Sequence, residues 1–162
     1  MSSSPASQLI QAYLDGPAQL RRVVSDLSPQ QLKARPVAGR WSTLEVVCHL
    51  VDSEQAWCHR MKRVIAEEKP LVIGYDESRF TAVLGYDQHD LEEELVLLEK
   101  MRRQMARILG GLETQLWSRA CVHSEVGLMT LEQMLKAEVD HIPHHIRHIS
   151  EKRQALGLAV KS

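Results

Sequence analysis

Apolar residues recur at intervals of three and four along much of this chain, the spacing that places side chains on one face of an α-helix. The first such stretch extends from about Pro5 to Leu27, and Gly16-Pro17 predicts a bend inside it. Another extends from Gln88 to about Leu109, with Asp87 as its predicted N-cap and Gly110-Gly111 as its end. Its repeating apolar positions are Leu91, Leu95, Leu98, Met101, Met105 and Ile108.

Capping boxes mark three further helix starts, because a short side-chain oxygen accepts one free amide and a residue three positions later accepts another. Ser28 to Gln31 opens a short turn, and Ser42 to Glu45 opens a helix that is predicted to end near Glu67. Thr130 to Gln133 opens the last helix, which makes four main helices. The tripeptide Gly-Tyr-Asp occurs at 74–76 and 85–87, where each Asp is predicted to cap a following helix.

The segments between these helices carry no strong alternation of apolar and polar residues, so no sheet is predicted. In the connector from Leu112 to Met129 we expect a short helix followed by extended chain. No low-complexity linker divides the sequence. We therefore expect residues 1–162 to form one domain, an all-α four-helix bundle with long crossover connections.

The near balance of positive and negative charge argues against nucleic acid and anionic membranes as binding partners. The 20 Lys and Arg against 21 Asp and Glu give a formal net charge of -1, which provides no broad positive field for nucleic acid or an anionic membrane. Met1 to Gln8 lacks the pattern of an export signal, and no stretch approaches the roughly 20 apolar residues of a membrane span. Cys48, Cys58 and Cys121 are odd in number and lack CxxC spacing, which is typical of reduced thiols. The sequence predicts a cytoplasmic protein that acts on a small molecule.

Histidine is the unusual residue, since four of the eight lie between His141 and His148. His141 with His145, and His144 with His148, are each four residues apart, so either pair places two imidazoles on one helix face within reach of one metal ion. Successive residues turn about 100°, which places His141 and His145 beside the buried stripe and the other pair about 60° further towards solvent. Pro143 is expected to bend the helix, and the bend either aims the inner rings at one point or moves them away from it.

A third ligand is needed, because catalytic metal sites of this kind usually combine three protein ligands with an open position. The capping box places His49 about two turns into the second helix, a depth that suits a ligand in a bundle core. Relative to the apolar residues of that helix, His49 lies away from the centre of the buried side, so periodicity favours it only weakly. The alternative for the four clustered histidines is a solvated helix face without metal.

Several short motifs occur in a specific order along the chain. They are Trp41-Ser42, Glu45, His49-Leu50, Gly74-Tyr75-Asp76 and the closing His141, His144-His145 and Ile149. Together these motifs resemble the DinB/YfiT-like superfamily of metalloenzymes, and the match spans most of the chain. The resemblance implies a four-helix bundle that holds a divalent metal through His49, from the second helix, and the pair His141 and His145, from the last.

The resemblance also implies chemistry and partners. Some branches of that family carry out transfer reactions with low-molecular-weight thiols, many members have no assigned reaction, and homodimers are expected. We predict a metal-dependent transferase that activates a thiol, or a metal-dependent hydrolase, with zinc or nickel as the metal and iron or copper as alternatives. The rival interpretation is a metal-binding module without turnover, in which the ion stabilises the bundle or a dimer.

Other polar residues are predicted to contact the metal ligands or to lie away from the metal. His148 departs from the family pattern and is a candidate to contact the ligands from outside. Carboxylates that suit hydrogen bonds to ligand imidazoles are Asp52, Glu138 and Asp140, and solvated surface charge is their alternative role. The histidines not expected to bind the metal are His59, His89 and His123.

Overall fold

The computed structural model describes residues 4–161, most of which are helical. The α-helices of these residues are α1 (Pro5–Val24), α2 (Pro29–Lys33), α3 (Thr43–Ala66), α4 (Glu77–Val83), α5 (Leu91–Gly110) and α6 (Leu131–Ala155). None of these described helices is long and apolar enough to cross a membrane. The segment Met1 to Gln8, in which no export signal is expected, lies partly outside the described residues.

The four long helices form a bundle. α1 packs against α5 and α6, and α3 packs against the same two helices. α1 and α3 therefore occupy opposite corners, and the chain crosses the bundle between them. Leu20, Leu98 and Ile149, from three different helices, are fully buried in the core. The predicted four-helix bundle with crossover connections is confirmed.

Capping boxes set the starts of the two helices that carry the clustered motifs. Ser42 Oγ accepts the Glu45 amide at 3.1 Å, and the Glu45 carboxylate accepts the Ser42 amide at 2.6 Å. Thr130 and Gln133 form the same reciprocal pair at the start of α6, at 2.9 and 3.2 Å. Each box satisfies two amides that have no partner within the helix. The predicted starts of α3 and α6 are therefore confirmed.

The two Gly-Tyr-Asp tripeptides lead into different structures. Asp76 caps α4, as predicted. The cap predicted for Asp87 is wrong, because a 3₁₀ turn over Tyr86–Gln88 contains that residue and α5 begins only after Asp90. The Asp90 carboxylate accepts two amides of the first helical turn, at 2.9 and 3.0 Å. Both aspartates precede the apolar stripe, so periodicity alone does not separate them.

A small sheet contradicts the expectation that no strands form. β1 (Leu71–Val72) pairs in parallel with β2 (Ala120–His123), which pairs antiparallel with β3 (Gly127–Thr130). Strands of two to four residues are too short for alternation of apolar and polar residues to be recognised. A 3₁₀ turn over Thr114–Ser118 precedes β2, which confirms the short helix and extended chain expected in that connector.

Arg102 of α5 joins the helices from inside the bundle, where it is 1% exposed. Its Nη1 donates to the carbonyl of Tyr13 at 2.9 Å, the carbonyl that loses its helical partner because Pro17 has no amide hydrogen. Its Nε donates to the Glu54 carboxylate at 2.7 Å, and its Nη2 donates to the Glu138 carbonyl at 2.9 Å. One guanidinium thus connects α5 with α1, α3 and α6.

Candidate metal centre

Three histidine rings meet between α3 and α6. His49 comes from the second turn of α3, and His141 and His145 come from one face of α6. His49 Nε2 lies 3.3 Å from His141 Nε2, which lies 3.1 Å from His145 Nε2. The three ring centroids are separated by 4.7, 4.8 and 5.2 Å. The fold thus brings together all three residues that the sequence proposes as ligands.

The spacing of these nitrogens fits a small divalent cation. A tetrahedral zinc ion with Zn–N distances of about 2.05 Å holds its ligand nitrogens roughly 3.3 Å apart. His141 Nε2 faces both partner nitrogens at 3.1 and 3.3 Å. An imidazole nitrogen offers either one hydrogen or one lone pair, so a single proton cannot bridge all three atoms. One cation satisfies the three lone pairs together, and the residues present therefore fit a metal.

Burial keeps the three rings neutral. It lowers the pKa of His49 to about 4 and is the largest cause of the lowered pKa of His141, about 3. The pKa of His145 falls to about 2, through burial first and then through its histidine neighbours. Neutral imidazole is the form that binds metals. No proton has to leave these rings before a cation binds near pH 7.

The second ring nitrogens of His49 and His141, their Nδ1 atoms, face carboxyl side chains. Glu138 Oε1 lies 3.9 Å from His141 Nδ1, and Glu77 Oε2 lies 3.9 Å from His49 Nδ1. These separations exceed a hydrogen bond, and burial raises the pKa of both carboxyl groups. His145 Nδ1 is buried and has no hydrogen-bond partner among the described residues.

The carboxylates near the rings differ from the predicted set. Glu138 is the predicted residue that lies beside a ligand ring. Asp140 forms an exposed ion pair with Lys136 at 3.0 Å. Asp52 accepts a hydrogen bond from the Tyr86 hydroxyl, and its charge opposes the effect of burial on the pKa of His49. Glu77 was not predicted from the sequence, since its position near His49 depends on α4 packing against α3. No local pattern in the sequence marks that contact.

The outer histidines of α6 lie beside the cluster and not within it, with the ring centroids of His144 and His148 at 5.2 and 6.0 Å from that of His145. His144 is exposed, and its Nε2 lies 3.3 Å from His148 Nε2. α6 continues through Pro143, and the inner pair still meets at 3.1 Å. The buried side that the apolar residues of α6 predict therefore identifies correctly which histidine pair is inner and which is outer.

Cys48, His89 and Glu94 also place their possible ligand atoms within 4.8 Å of one another. His89 Nδ1 lies 2.8 Å from Glu94 Oε1, so these two groups already satisfy each other. Burial raises the pKa of the Cys48 thiol to about 12. A protonated thiol is a poor metal ligand, and this group is therefore a weaker candidate than the histidine cluster.

A cavity of about 340 Å³ opens beside the histidines. Residues that line it include Arg40, Trp41, Glu77, His145, His148 and Lys152. The Trp41 ring packs on His49 with centroids 5.1 Å apart, which covers one side of the cluster. A larger cavity of about 670 Å³, between Glu68 and Arg119, is lined by no histidine of the described chain. The smaller cavity has a volume suited to a small molecule and adjoins the cluster.

Comparison with known proteins identifies a matching family and several similar proteins. Residues 12–149 match the model of the DinB superfamily. YfiT of Bacillus subtilis (strain 168), which is named a metal-dependent hydrolase by provisional assignment, is 30% identical over 158 residues, or 97% of this chain and 89% of that protein. A protein of Oceanobacillus iheyensis with the same provisional assignment is 29% identical over 136 residues, or 84% of this chain and 78% of its own length.

Solved structures agree with the fold. The structure of Bacillus subtilis YfiT, described as having an unusual four-helix bundle topology, superposes with a TM-score of 0.89 at 30% identity and covers 98% of this chain and 92% of that one. The mycothiol-dependent maleylpyruvate isomerase gives a TM-score of 0.71 at 14% identity, covering 100% of this chain and 65% of its own. That second likeness shows the fold alone.

Proposed function

This chain belongs to the DinB superfamily, and on that premise we propose that it is a metalloenzyme for a small-molecule substrate, with one divalent ion held by His49, His141 and His145. The convergence of three neutral Nε2 atoms beside a cavity carries this proposal. When bound, the ion supplies Lewis acidity, which lowers the pKa of a thiol or a water molecule and polarises a substrate.

The residues of the chain prepare the site for that chemistry. Three imidazoles add no negative charge, so the cation keeps its full charge. Glu77 and Glu138 lie 3.9 Å behind the rings of His49 and His141, close enough for their carboxylates to become acceptors of an Nδ1 hydrogen when a cation occupies the Nε2 side. Trp41 packs against His49 and excludes water from that side.

Thiol transfer is the first reaction that we propose, with a low-molecular-weight thiol as cosubstrate and zinc or nickel as the metal. A cation held only by neutral ligands stabilises a thiolate strongly, since no anionic ligand offsets its charge. Hydrolysis is the second candidate, and the provisional names of the relatives support it. The homodimer and the cytoplasmic location expected from the sequence remain predictions.

The test begins with metal content. Protein purified without a polyhistidine tag and repleted with zinc or nickel should contain about one ion per chain, and His49→Ala should contain almost none. Cobalt-substituted protein titrated with small thiols should then develop sulfur-to-metal charge-transfer absorption. The thiol should lose its proton well below its ordinary pKa of about 8.5.

The outcomes separate the candidate functions. Substoichiometric metal in the repleted protein would remove the proposed site. A cobalt spectrum that no thiol perturbs would exclude thiol transfer and leave hydrolysis. If neither thiol nor water exchanges at the cobalt, the metal has no open position, and the non-catalytic module becomes the correct interpretation.

A further inference from the structure

Lys152 of α6 is a buried cation that forms no ion pair within residues 4–161. The residue is 3% exposed, and its Nζ donates to the carbonyl of His148 at 3.2 Å. No acidic side chain in the described part of the chain forms an ion pair with it. The adjacent Arg153, also buried, is paired with Asp26 at 2.7 and 3.0 Å. An ammonium group has three hydrogens to donate, so two of those of Lys152 are available to a ligand.

A second unpaired cation lines the same cavity. Arg40 lies in the loop before α3 and forms no ion pair with any described residue. Burial lowers the pKa of Lys152; the charge of Glu151 opposes this decrease, that of Arg40 adds to it, and that of Glu45 opposes it. Two neighbouring cations repel each other, and an anion bound between them would relieve that repulsion.

The acidic residues near these cations are engaged elsewhere. Glu45 accepts hydrogen bonds from Arg35 and from the Ser42 amide. Glu151 is exposed and lies 3.4 Å from the ring of His148. Glu77, at the histidine end of the cavity, faces His49. None of the described carboxylates therefore fills the space between Arg40 and Lys152.

One face of α6 connects this space to the candidate metal centre. His141, His145, His148 and Lys152 follow one another at spacings of four, three and four residues, which places them along one side of the helix. Lys152 lies seven residues beyond His145, or about 10 Å along the axis. A small molecule of roughly that length reaches from the histidines to the ammonium group.

We propose that the cavity between Arg40 and Lys152 is an anion-binding subsite. It binds the carboxylate or phosphate group of a small molecule whose reactive end lies at the histidine cluster. An oxyanion accepts charge-assisted hydrogen bonds from both the ammonium and the guanidinium group. This inference rests on the proposed function and specifies it, since it assigns an anionic class of substrate or cosubstrate to that site.

The experiment compares two thiols that differ only at the far end. Cobalt-substituted protein is titrated with an ω-mercaptocarboxylate and with the ω-mercaptoalcohol of the same chain length, and binding is followed by the sulfur-to-cobalt absorption. The carboxylate should bind about tenfold more tightly, the size expected for a hydrogen-bonded charge pair. Lys152→Met and Arg40→Gln should each reduce the preference to about twofold or less.

Lys136→Met is the matched control, because Lys136 lies on the same helix but is exposed and paired with Asp140. This variant should keep the full preference. Arg40→Gln changes an exposed loop residue, so its result stands even if Lys152→Met fails to fold. Equal binding of the two thiols by wild-type protein, or an unchanged preference in Arg40→Gln, would overturn the proposal.

A second measurement separates this proposal from the proposed function. If neither thiol binds cobalt, metal-loaded protein is titrated calorimetrically with inorganic phosphate and with glutarate. Saturable binding that Arg40→Gln weakens by about tenfold supports the subsite even though thiol transfer fails. The anion that binds more tightly identifies the group as phosphate or carboxylate. Absence of saturable binding by both anions overturns the subsite.

Discussion

His144 and His145 are adjacent in sequence but differ in their surroundings. His145 Nε2 lies 3.1 Å from His141 Nε2 inside the cluster. His144 is exposed, and its Nδ1 lies 3.1 Å from the Arg147 guanidinium. A turn of about 100° between neighbours is enough to separate a candidate ligand from a surface residue.

Alanine substitution of these two residues tests the assigned register. His145→Ala should weaken zinc binding by at least about a hundredfold, because it removes one of three ligands. His144→Ala should change the dissociation constant by less than about threefold, since its Nε2 lies against His148 Nε2 at 3.3 Å and not against the three candidate ligand nitrogens. Competition with a chromophoric chelator measures both constants. Similar losses in the two variants would assign the outer pair to the metal instead.

The lowered pKa values of the cluster predict how metal affinity depends on pH. His49, His141 and His145 have pKa values of about 4, 3 and 2, so they stay almost entirely unprotonated between pH 7 and 5. Three imidazoles of ordinary pKa, about 6.5, would all be protonated at pH 5 and would lose roughly four powers of ten in affinity. The measured dissociation constant should instead change by less than about tenfold over this range. A steep decrease in affinity below pH 6.5 would show that the rings titrate normally.

At the scale of helices, Arg102 compensates for a proline in α1. Pro17 leaves the Tyr13 carbonyl without its helical donor, and Arg102 Nη1 occupies that position. Gly16 makes the approach possible, since a Cβ there would lie 2.5 Å from the same nitrogen. The Tyr13 hydroxyl and Arg102 both bind the buried Glu54 carboxylate. Three helices therefore depend on one guanidinium for their buried polar groups.

Replacement of Arg102 should destabilise the bundle strongly. Arg102→Met leaves the Glu54 carboxylate buried without a cation, and the free energy of unfolding should fall by about 3–5 kcal/mol. Urea denaturation followed by circular dichroism measures the change. Adding Glu54→Gln to this variant should restore part of the stability, because the unpaired charge is removed.

Arg103→Met is the control for that prediction. Arg103 is exposed and pairs with Glu99 one turn earlier in α5 at 3.2 Å. Its replacement should change stability by less than about 0.5 kcal/mol, as expected for a surface pair. A similar loss in both arginine variants would mean that the side chain of Arg102 acts through general helix stability and not through its buried contacts.

At the scale of the whole molecule, the candidate metal centre joins two helices that are far apart in the chain. His49 and His141 are 92 residues apart in sequence, and their Nε2 atoms are 3.3 Å apart. An unfolded chain does not hold these ligands together, so a metal binds the folded state preferentially. Metal binding and stability of the bundle are therefore coupled.

That coupling can be measured directly. Zinc at about a hundred times its dissociation constant should raise the free energy of unfolding by about 2.7 kcal/mol. Denaturant titrations of untagged protein with zinc and with chelator measure the difference. His49→Ala should abolish the increment, which is measured against the metal-free form of the same variant because loss of a buried ring lowers stability by itself. An increment that persists in this variant would locate the stabilising metal elsewhere.

Features that depend on contacts between neighbouring residues could be predicted from the sequence. Capping boxes at Ser42 and Thr130 fix helix starts through contacts over three residues, and the apolar repeat fixes which side of each helix is buried. The spacing of His141 and His145 places both on one face of one helix for the same reason. The resemblance to a known family supplied His49, which periodicity favours only weakly.

Contacts between segments that are distant in the chain depend on how the helices pack and could not be predicted from local patterns. Packing of α3 against α6 brings His49 to the other two histidines, and packing of α4 against α3 brings Glu77 behind it. The cavity that Arg40 shares with Lys152 depends on the same assembly. Repeating patterns record the period of a helix but not the distance between two helices, because side-chain packing across the whole bundle sets that distance.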